Sequence, residues 1–242
     1  MLQERPFAYL DEISWFVYDE FDIQVSEDTI ARMLNRHQWP RKQIKRVAAQ
    51  RNEHLRLLWR RQQLDWSPER MVFVDETAAC ERNGWRKYGW SLRGAPCYNS
   101  QPLKRSERWS VLPAIGINGH LDKTLIHRGS ITAALFEDWL EFDILPQCDP
   151  DTILVMDNAS IHRSPRIDAL CARFYVNLKY LPPYSPDLNP IESSFAELKA
   201  WIRRHAEEAV EFSDFADFLR KGINSLERVH AQGYWYNCGY RS

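Results

Sequence analysis

Residues 152–205 read TILVMDNASIHRSPRIDALCARFYVNLKYLPPYSPDLNPIESSFAELKAWIRRH, and their changing periodicity decides the fold class. Ile153 to Met156 is a short, wholly apolar run, the pattern of a strand buried on both faces. Ser164 followed by Pro165 then offers a cap and a first helical residue for SPRIDALCARF. VNLKYL returns to strand character. In PIESSFAELKAWIRRH, Ile191, Phe195, Leu198 and Ile202 form one helical stripe behind Pro190. Strand, helix, strand, helix is the signature of α/β units that wind a parallel sheet.

Upstream, MVFVDE (71–76) reads as another short strand that ends in acids. WSVLPAIGI (109–117) leads through Asn118-Gly119 into HLDKTLIHRG, a strong hairpin signal. TAALFEDWLEFDI (132–144) predicts a helix, and FSDFADFLRKGINSLERV (212–229) predicts a last helix capped by Ser213. The fold class is therefore α/β, a mixed sheet flanked by helices. Before it, YLDEISWFVYDEFD (9–22) and SEDTIARMLNRHQ (26–38) predict two helices joined by a tight turn, a partial helix-turn-helix. We divide the chain into residues 1–40 (partial helix-turn-helix unit), 41–68 (basic linker and helix) and 69–242 (α/β domain).

With 242 residues, 44% hydrophobic and 27% charged, the chain can bury a sizeable core. No apolar run reaches the roughly 20 residues of a membrane span, and the acidic N-terminus lacks the pattern of an export signal, so we expect an intracellular protein. Five cysteines without a CxxC pair argue against a disulfide framework and against structural zinc. The net charge of -1 hides a strong segregation. Arg32 to Arg61 carries ten Lys or Arg against the single acid Glu53. A basic arm beside an acidic body suits a protein that grips phosphates with one part and binds cations with the other, although a solvated basic helix face reads the same.

Three acids stand at the edges of the strongest apolar elements. Asp75 follows Met71 to Val74, Asp157 follows Ile153 to Met156, and Glu192 opens the helix after the next strand. Carboxylates at the ends of neighbouring buried strands emerge where open sheets form clefts. Grouped acids repel unless a cation intervenes, and Mg²⁺ takes hard oxygen ligands together with substrate phosphates. Each acid also has a plain structural alternative. Asp75 and Asp157 could simply close strands, and Glu192 could complete a capping box with Asn189 as N-cap.

The strings MVFVDET, YGWSLRG, ILVMDNASIH and YLPPYSPDLNPIESSFAELK, with 34 residues between Asp157 and Glu192, closely resemble the catalytic core of mariner-superfamily DDE transposases and related bacterial insertion-sequence enzymes. The resemblance spans roughly residues 20 to 240. It implies an RNase H-like fold and an enzyme that hydrolyses DNA phosphodiester bonds and joins strands. It further implies that Asp75, Asp157 and Glu192 are catalytic and bind Mg²⁺ or Mn²⁺, as two ions. Asn158 and His162 match motif positions beside the metal site, as support or phosphate contacts. The loop ERNGWRKYGWSLRG resembles a part that contacts DNA or a partner subunit, so Arg86, Lys87 and Arg93 join Arg32, Arg36, Arg41, Lys42, Lys45 and Arg46 as candidate phosphate contacts. Trp85 and Trp90 would pack or stack, and for Trp90 we expect burial. Double-stranded DNA and a homodimer are the implied partners, in the nucleus of a eukaryote or the cytoplasm and nucleoid of a bacterium. Such relatives carry two tri-helical DNA-binding units, whereas this chain starts near the second helix of the second, so it reads as N-terminally truncated. Two rivals stand beside the enzyme: a catalytically inactive DNA-binding remnant of a transposon, and a metal-dependent nuclease for RNA or hybrids.

Overall fold

A computed structural model describes residues 1–44, 48–86, 88–98, 107–226 and 228–240. Two compact units divide the chain, residues 1–49 and 50–242. In the first, α1 (Leu10–Phe21) and α2 (Glu27–Arg36) are joined by a short turn. Ser26 caps α2 by accepting from the Thr29 N–H, and Ser14 donates to the Val25 carbonyl at 2.6 Å. Ile13 and Ile30 are buried in this unit.

The second unit opens with α3 (Glu53–Gln62), a helix within the stretch 41–68 read as basic linker and helix. The helix contributes to the core because Trp59 is buried against the sheet and Arg56 lies beneath the surface. Next come β1 (Met71–Val74), β2 (Thr77–Ala79), β3 (Trp109–Leu112), β4 (Ala114–Gly116), β5 (Gly119–His120) and β6 (Leu125–Arg128). These precede α4 (Ala133–Trp139), β7 (Ile153–Met156), α5 (Pro165–Arg173) and β8 (Asn177–Tyr180). The chain closes with α6 (Ile191–Arg204), α7 (Phe215–Ser225) and α8 (Arg228–Cys238).

Among the described residues the strands make a five-stranded sheet, β5-β4-β1-β7-β8, and a three-stranded sheet, β2-β3-β6. β1 is antiparallel to β4 and parallel to β7, and β7 is parallel to β8. The expected mixed sheet is therefore present. Alternate side chains of β1 and β7 serve opposite layers. Val72, Val74, Leu154 and Met156 join the core under α4 and α5, while Met71, Phe73, Ile153 and Val155 join the one holding Trp59, Phe195 and Trp235. A third cluster sets Ala79 and Val111 of the small sheet against Leu198 and Ile202 of α6 and Phe218 of α7.

Three local expectations are corrected. The Asn118-Gly119 turn does form a hairpin, but it joins β4 to the two-residue β5, and LIHR pairs with β3 in the other sheet. Pro113 stands between β3 and β4, where a residue without an N–H breaks the run, so that β3 pairs in the small sheet and β4 in the large one. Asp214, not Ser213, caps α7, accepting from the Ala216 N–H at 3.0 Å. The expected last helix is two, α7 and α8.

Candidate active site

Val74 pairs with Met156 at the end of the β1–β7 ladder, so Asp75 and Asp157 leave adjacent parallel strands at the same level. Glu192 stands in the first turn of α6, which begins past the Pro-rich turn after β8. All three line one cleft of about 480 Å³, together with Asn158, Tyr184 and Asn189. The structure therefore brings the three acids to a single concavity. Among the described residues, no three acidic, His or Cys side chains are drawn into a ready-made ion cage.

The three carboxyls differ electrically. Burial, reinforced by the charge of Asp157 and then of Glu192, pushes Asp75 up to about 7, against the Glu76 N–H that donates to it at 2.7 Å. Burial also works to raise Asp157, but hydrogen bonds from His162 and from the Ala159 N–H hold it below its usual value. Glu192 is raised by burial and by the charge of Asp157, with Lys199 opposing. One protonatable and one firmly ionised aspartate at neighbouring strand ends is the pattern expected of a site that gathers negative charge.

His162 is 1% exposed. Its Nδ1 lies 2.6 Å from Asp157 Oδ1, its ring packs on Phe136 with centroids 4.6 Å apart, and its carbonyl accepts from the Tyr180 hydroxyl at 2.8 Å. Asn158 ties the ends of β7 and β8 by donating to the Leu181 carbonyl at 2.6 Å, and it also accepts from Arg163. The Asn158 side chain and the His162 carbonyl thus tie the ends of β7 and β8 together, while the His162 ring holds Asp157.

The capping-box alternative for Glu192 meets a competitor. The Asn189 N–H that a capping box would use donates instead to the Pro186 carbonyl at 3.0 Å. Asn189 still caps the helix, since its Oδ1 accepts from the Ile191 N–H at 3.3 Å. Its Nδ2 donates to Asp75 Oδ2 at 2.9 Å, a link between the first acid and the helix of the third that sequence reasoning missed. Arg56 was missed as well. At 1% exposed it sends Nη1 and Nη2 to Asp187 at 3.0 and 2.7 Å, anchoring the turn before Asn189. Only a basic residue on the apolar stripe of α3 signalled it, and composition had grouped it with the basic arm.

Of the candidate phosphate contacts, Arg32, Arg36, Arg41 and Lys42 are exposed in the first unit, and Arg86 and Arg93 in the second. Lys45, Arg46 and Lys87 lie outside the described residues. Arg51 and Arg56 of the basic segment turn to Glu53 and Asp187, which removes them from the free cationic surface. Trp90 is 100% exposed, contrary to the expected burial, and lies in the stretch 88–98, all of which is exposed.

A profile of the DDE superfamily endonucleases matches residues 70–223, a span that holds all three acids. No curated protein matches the sequence significantly. Solved structures do match. A pre-cleavage Mos1 transpososome is 17% identical with a TM-score of 0.62, the alignment covering 96% of this chain and 75% of that one. The Mos1 mariner paired-end complex with Mn is 18% identical at a TM-score of 0.61, with the same coverages of 96% and 75%. The Mos1 paired-end complex with the left transposon end is 18% identical at 0.59, covering 95% and 77%. These likenesses show a shared fold, the RNase H-like mixed sheet flanked by helices, while the profile match carries the family: the chain belongs to the DDE superfamily endonucleases.

Proposed function

We propose that the protein is a DNA transposase that hydrolyses phosphodiester bonds and then joins strands at the Asp75–Asp157–Glu192 cleft, using Mg²⁺ or Mn²⁺. The observation that carries this reading is the pair of aspartates leaving adjacent parallel strands at one level into a cleft that also holds Glu192. The donor set is all hard oxygen, which suits these ions, and one or two carboxylates with substrate phosphate oxygens suffice to hold them. A cage closed by protein alone is not required. When bound, divalent ions supply charge neutralisation at the phosphate and activation of the attacking oxygen.

The chain's own groups do the rest. His162 fixes the Asp157 carboxylate, Asn158 holds the β7 and β8 ends together, and the exposed Arg32, Arg36, Arg41, Lys42, Arg86 and Arg93 offer charge to duplex phosphates. Water displaces the 3′-oxygen from phosphorus in the first step, and in the second the freed 3′-hydroxyl attacks a phosphodiester of the target strand and displaces its 3′-oxygen, which leaves as a hydroxyl. Double-stranded DNA is the substrate, and a homodimer is the expected assembly, by analogy with the paired-end Mos1 complexes.

Supercoiled plasmid incubated with the protein and Mg²⁺ or Mn²⁺ tests the reading. Nicking should appear with metal, stop in EDTA and be lost in Asp157→Asn. Equal nicking in EDTA would refute the metal mechanism, and DNA binding without nicking under every condition would favour the inactive remnant.

A further inference from the structure

We infer that Asn189 is a positioning residue that couples the first carboxylate of the cleft to the helix bearing the third. Its side chain is 2% exposed, so both of its polar atoms must find protein partners. They find partners on opposite sides. Oδ1 accepts from the Ile191 N–H at 3.3 Å and starts α6, while Nδ2 donates to Asp75 Oδ2 at 2.9 Å. One planar amide therefore sets the spacing between the end of β1 and the first turn that carries Glu192. An aliphatic residue could do neither, and serine could cap the helix but would be too short to reach Asp75.

The turn that presents Asn189 is itself fixed from behind. Asp187 receives the two-pronged grip of Arg56, with Arg51 Nη1 at 3.7 Å. The Leu188 carbonyl accepts from the Tyr240 hydroxyl at 2.8 Å, and that hydroxyl in turn accepts from Trp59 Nε1 at 3.1 Å. Three consecutive residues, 187 to 189, are each tied to a different element: α3, the C-terminal segment and the end of β1. This is more restraint than a helix cap needs. It suits a part whose task is to hold one carboxylate at a fixed distance from another.

The inference rests on reading Asp75 as part of the metal site, and the test separates the two. In EDTA at pH 8, melting is compared for the wild type, Asn189→Asp, Asp75→Asn and the double variant that exchanges the two side chains. Aspartate is as good a cap as asparagine, so a cap alone leaves Asn189→Asp unchanged. Coupling to Asp75 sets two carboxylates face to face and should lower its melting temperature by roughly 3 to 8 °C. The exchanged pair keeps every bond, because the amide at 75 can accept from Glu76 and donate to position 189, and it should melt at or above the wild type. Melting of Asn189→Asp at the wild-type temperature, or strictly additive single effects, overturns the inference. Nicking by Asn189→Ser supplies the catalytic readout. Its kcat should fall about 10- to 100-fold with the KM for plasmid unchanged, whereas a cap-only role predicts the wild-type rate and would equally overturn it. Should the exchange restore stability in EDTA while the wild type neither nicks DNA nor gains stability from Mn²⁺, the metal reading falls and the Asp75–Asn189 coupling stands.

Discussion

His162 Nδ1 sits 2.6 Å from Asp157 Oδ1, and the ring behind that contact is wedged against Phe136. Because the Asp157 carboxyl is held ionised, the shared proton belongs on the imidazole, and the ring acts as a fixed donor. Asparagine can present its amide N–H where the histidine presents Nδ1, whereas leucine fills the volume without a donor. His162→Asn should retain most nicking activity and His162→Leu should lose about 10- to 100-fold, with similar melting temperatures. Equal rates for the two variants would reduce His162 to a packing residue.

The raised Asp75 carboxyl makes the metal-free protein less stable as pH rises. The folded form keeps its proton up to about 7, whereas the unfolded chain releases it near the ordinary value of 3.8. Between those values the unfolded state binds fewer protons, so this group's contribution to stability falls with increasing pH and is level above about 7. Asp157 works in the opposite sense, but only at pH values below its ordinary range. Melting curves in EDTA should therefore show the wild type losing, between pH 4 and 7, the advantage it holds over Asp75→Asn, whose amide meets the Asn189 amide donor to donor. Mn²⁺ affinity should rise through the same interval, because the metal needs the carboxylate. Affinity that is flat with pH would remove Asp75 from the ligand set.

Arg56 is buried with a charge that Asp187 answers at 2.7 Å, so removing that acid leaves the cation only the exposed Glu53, 3.5 Å from its Nε. Asp187→Ala should cost about 3 kcal/mol or somewhat less, since Asp187 is half exposed and water can partly replace it. Arg56→Met combined with Asp187→Leu should recover most of that loss in denaturant titrations. A double variant no more stable than Asp187→Ala would show that the pair contributes by shape instead of charge.

Duplex binding should depend steeply on salt and hardly on sequence, because the exposed arginines and lysine of the first unit offer positive charge without a demonstrated base contact. With about 4 to 6 phosphates neutralised, the slope of log K against log salt would be about -4 to -5. Replacing Arg32, Arg36, Arg41 and Lys42 by alanine should flatten it in an anisotropy titration. An unchanged slope would move the contact to the loop with Arg86 and Arg93.

Local periodicity carried much of the fold. The strands at 71–74, 153–156 and 177–180 and the caps at Ser26 and Ser164 follow from runs and residues visible in isolation. The pairing did not. LIHR joins β3 instead of closing the Asn118-Gly119 hairpin because Pro113 divides the strand between two sheets, a consequence that appears only once both sheets exist. At the cleft, places at element ends made the three acids candidates, and the resemblance of the strings around them to the transposase core singled them out. Asn189 and Arg56 were not, because their partners lie 114 and 131 residues away in the chain and neither periodicity nor composition registers a single long-range bond.

β1 lies in the middle of its sheet, between β4 and β7, and its parallel neighbour is about 80 residues downstream. During synthesis β1 leaves the ribosome with no chain on one side to complete its ladder, and the cleft has no walls until β7, β8 and the start of α6 have followed. Pairing so distant in sequence is slow to form, and an incomplete sheet presents bare strand edges meanwhile. A half-made chain therefore has no site with which to cut DNA, and it is most exposed to aggregation over that same interval. Fragments that stop before residue 192 should accumulate poorly in cells for this reason, with the acids at 75 and 157 intact.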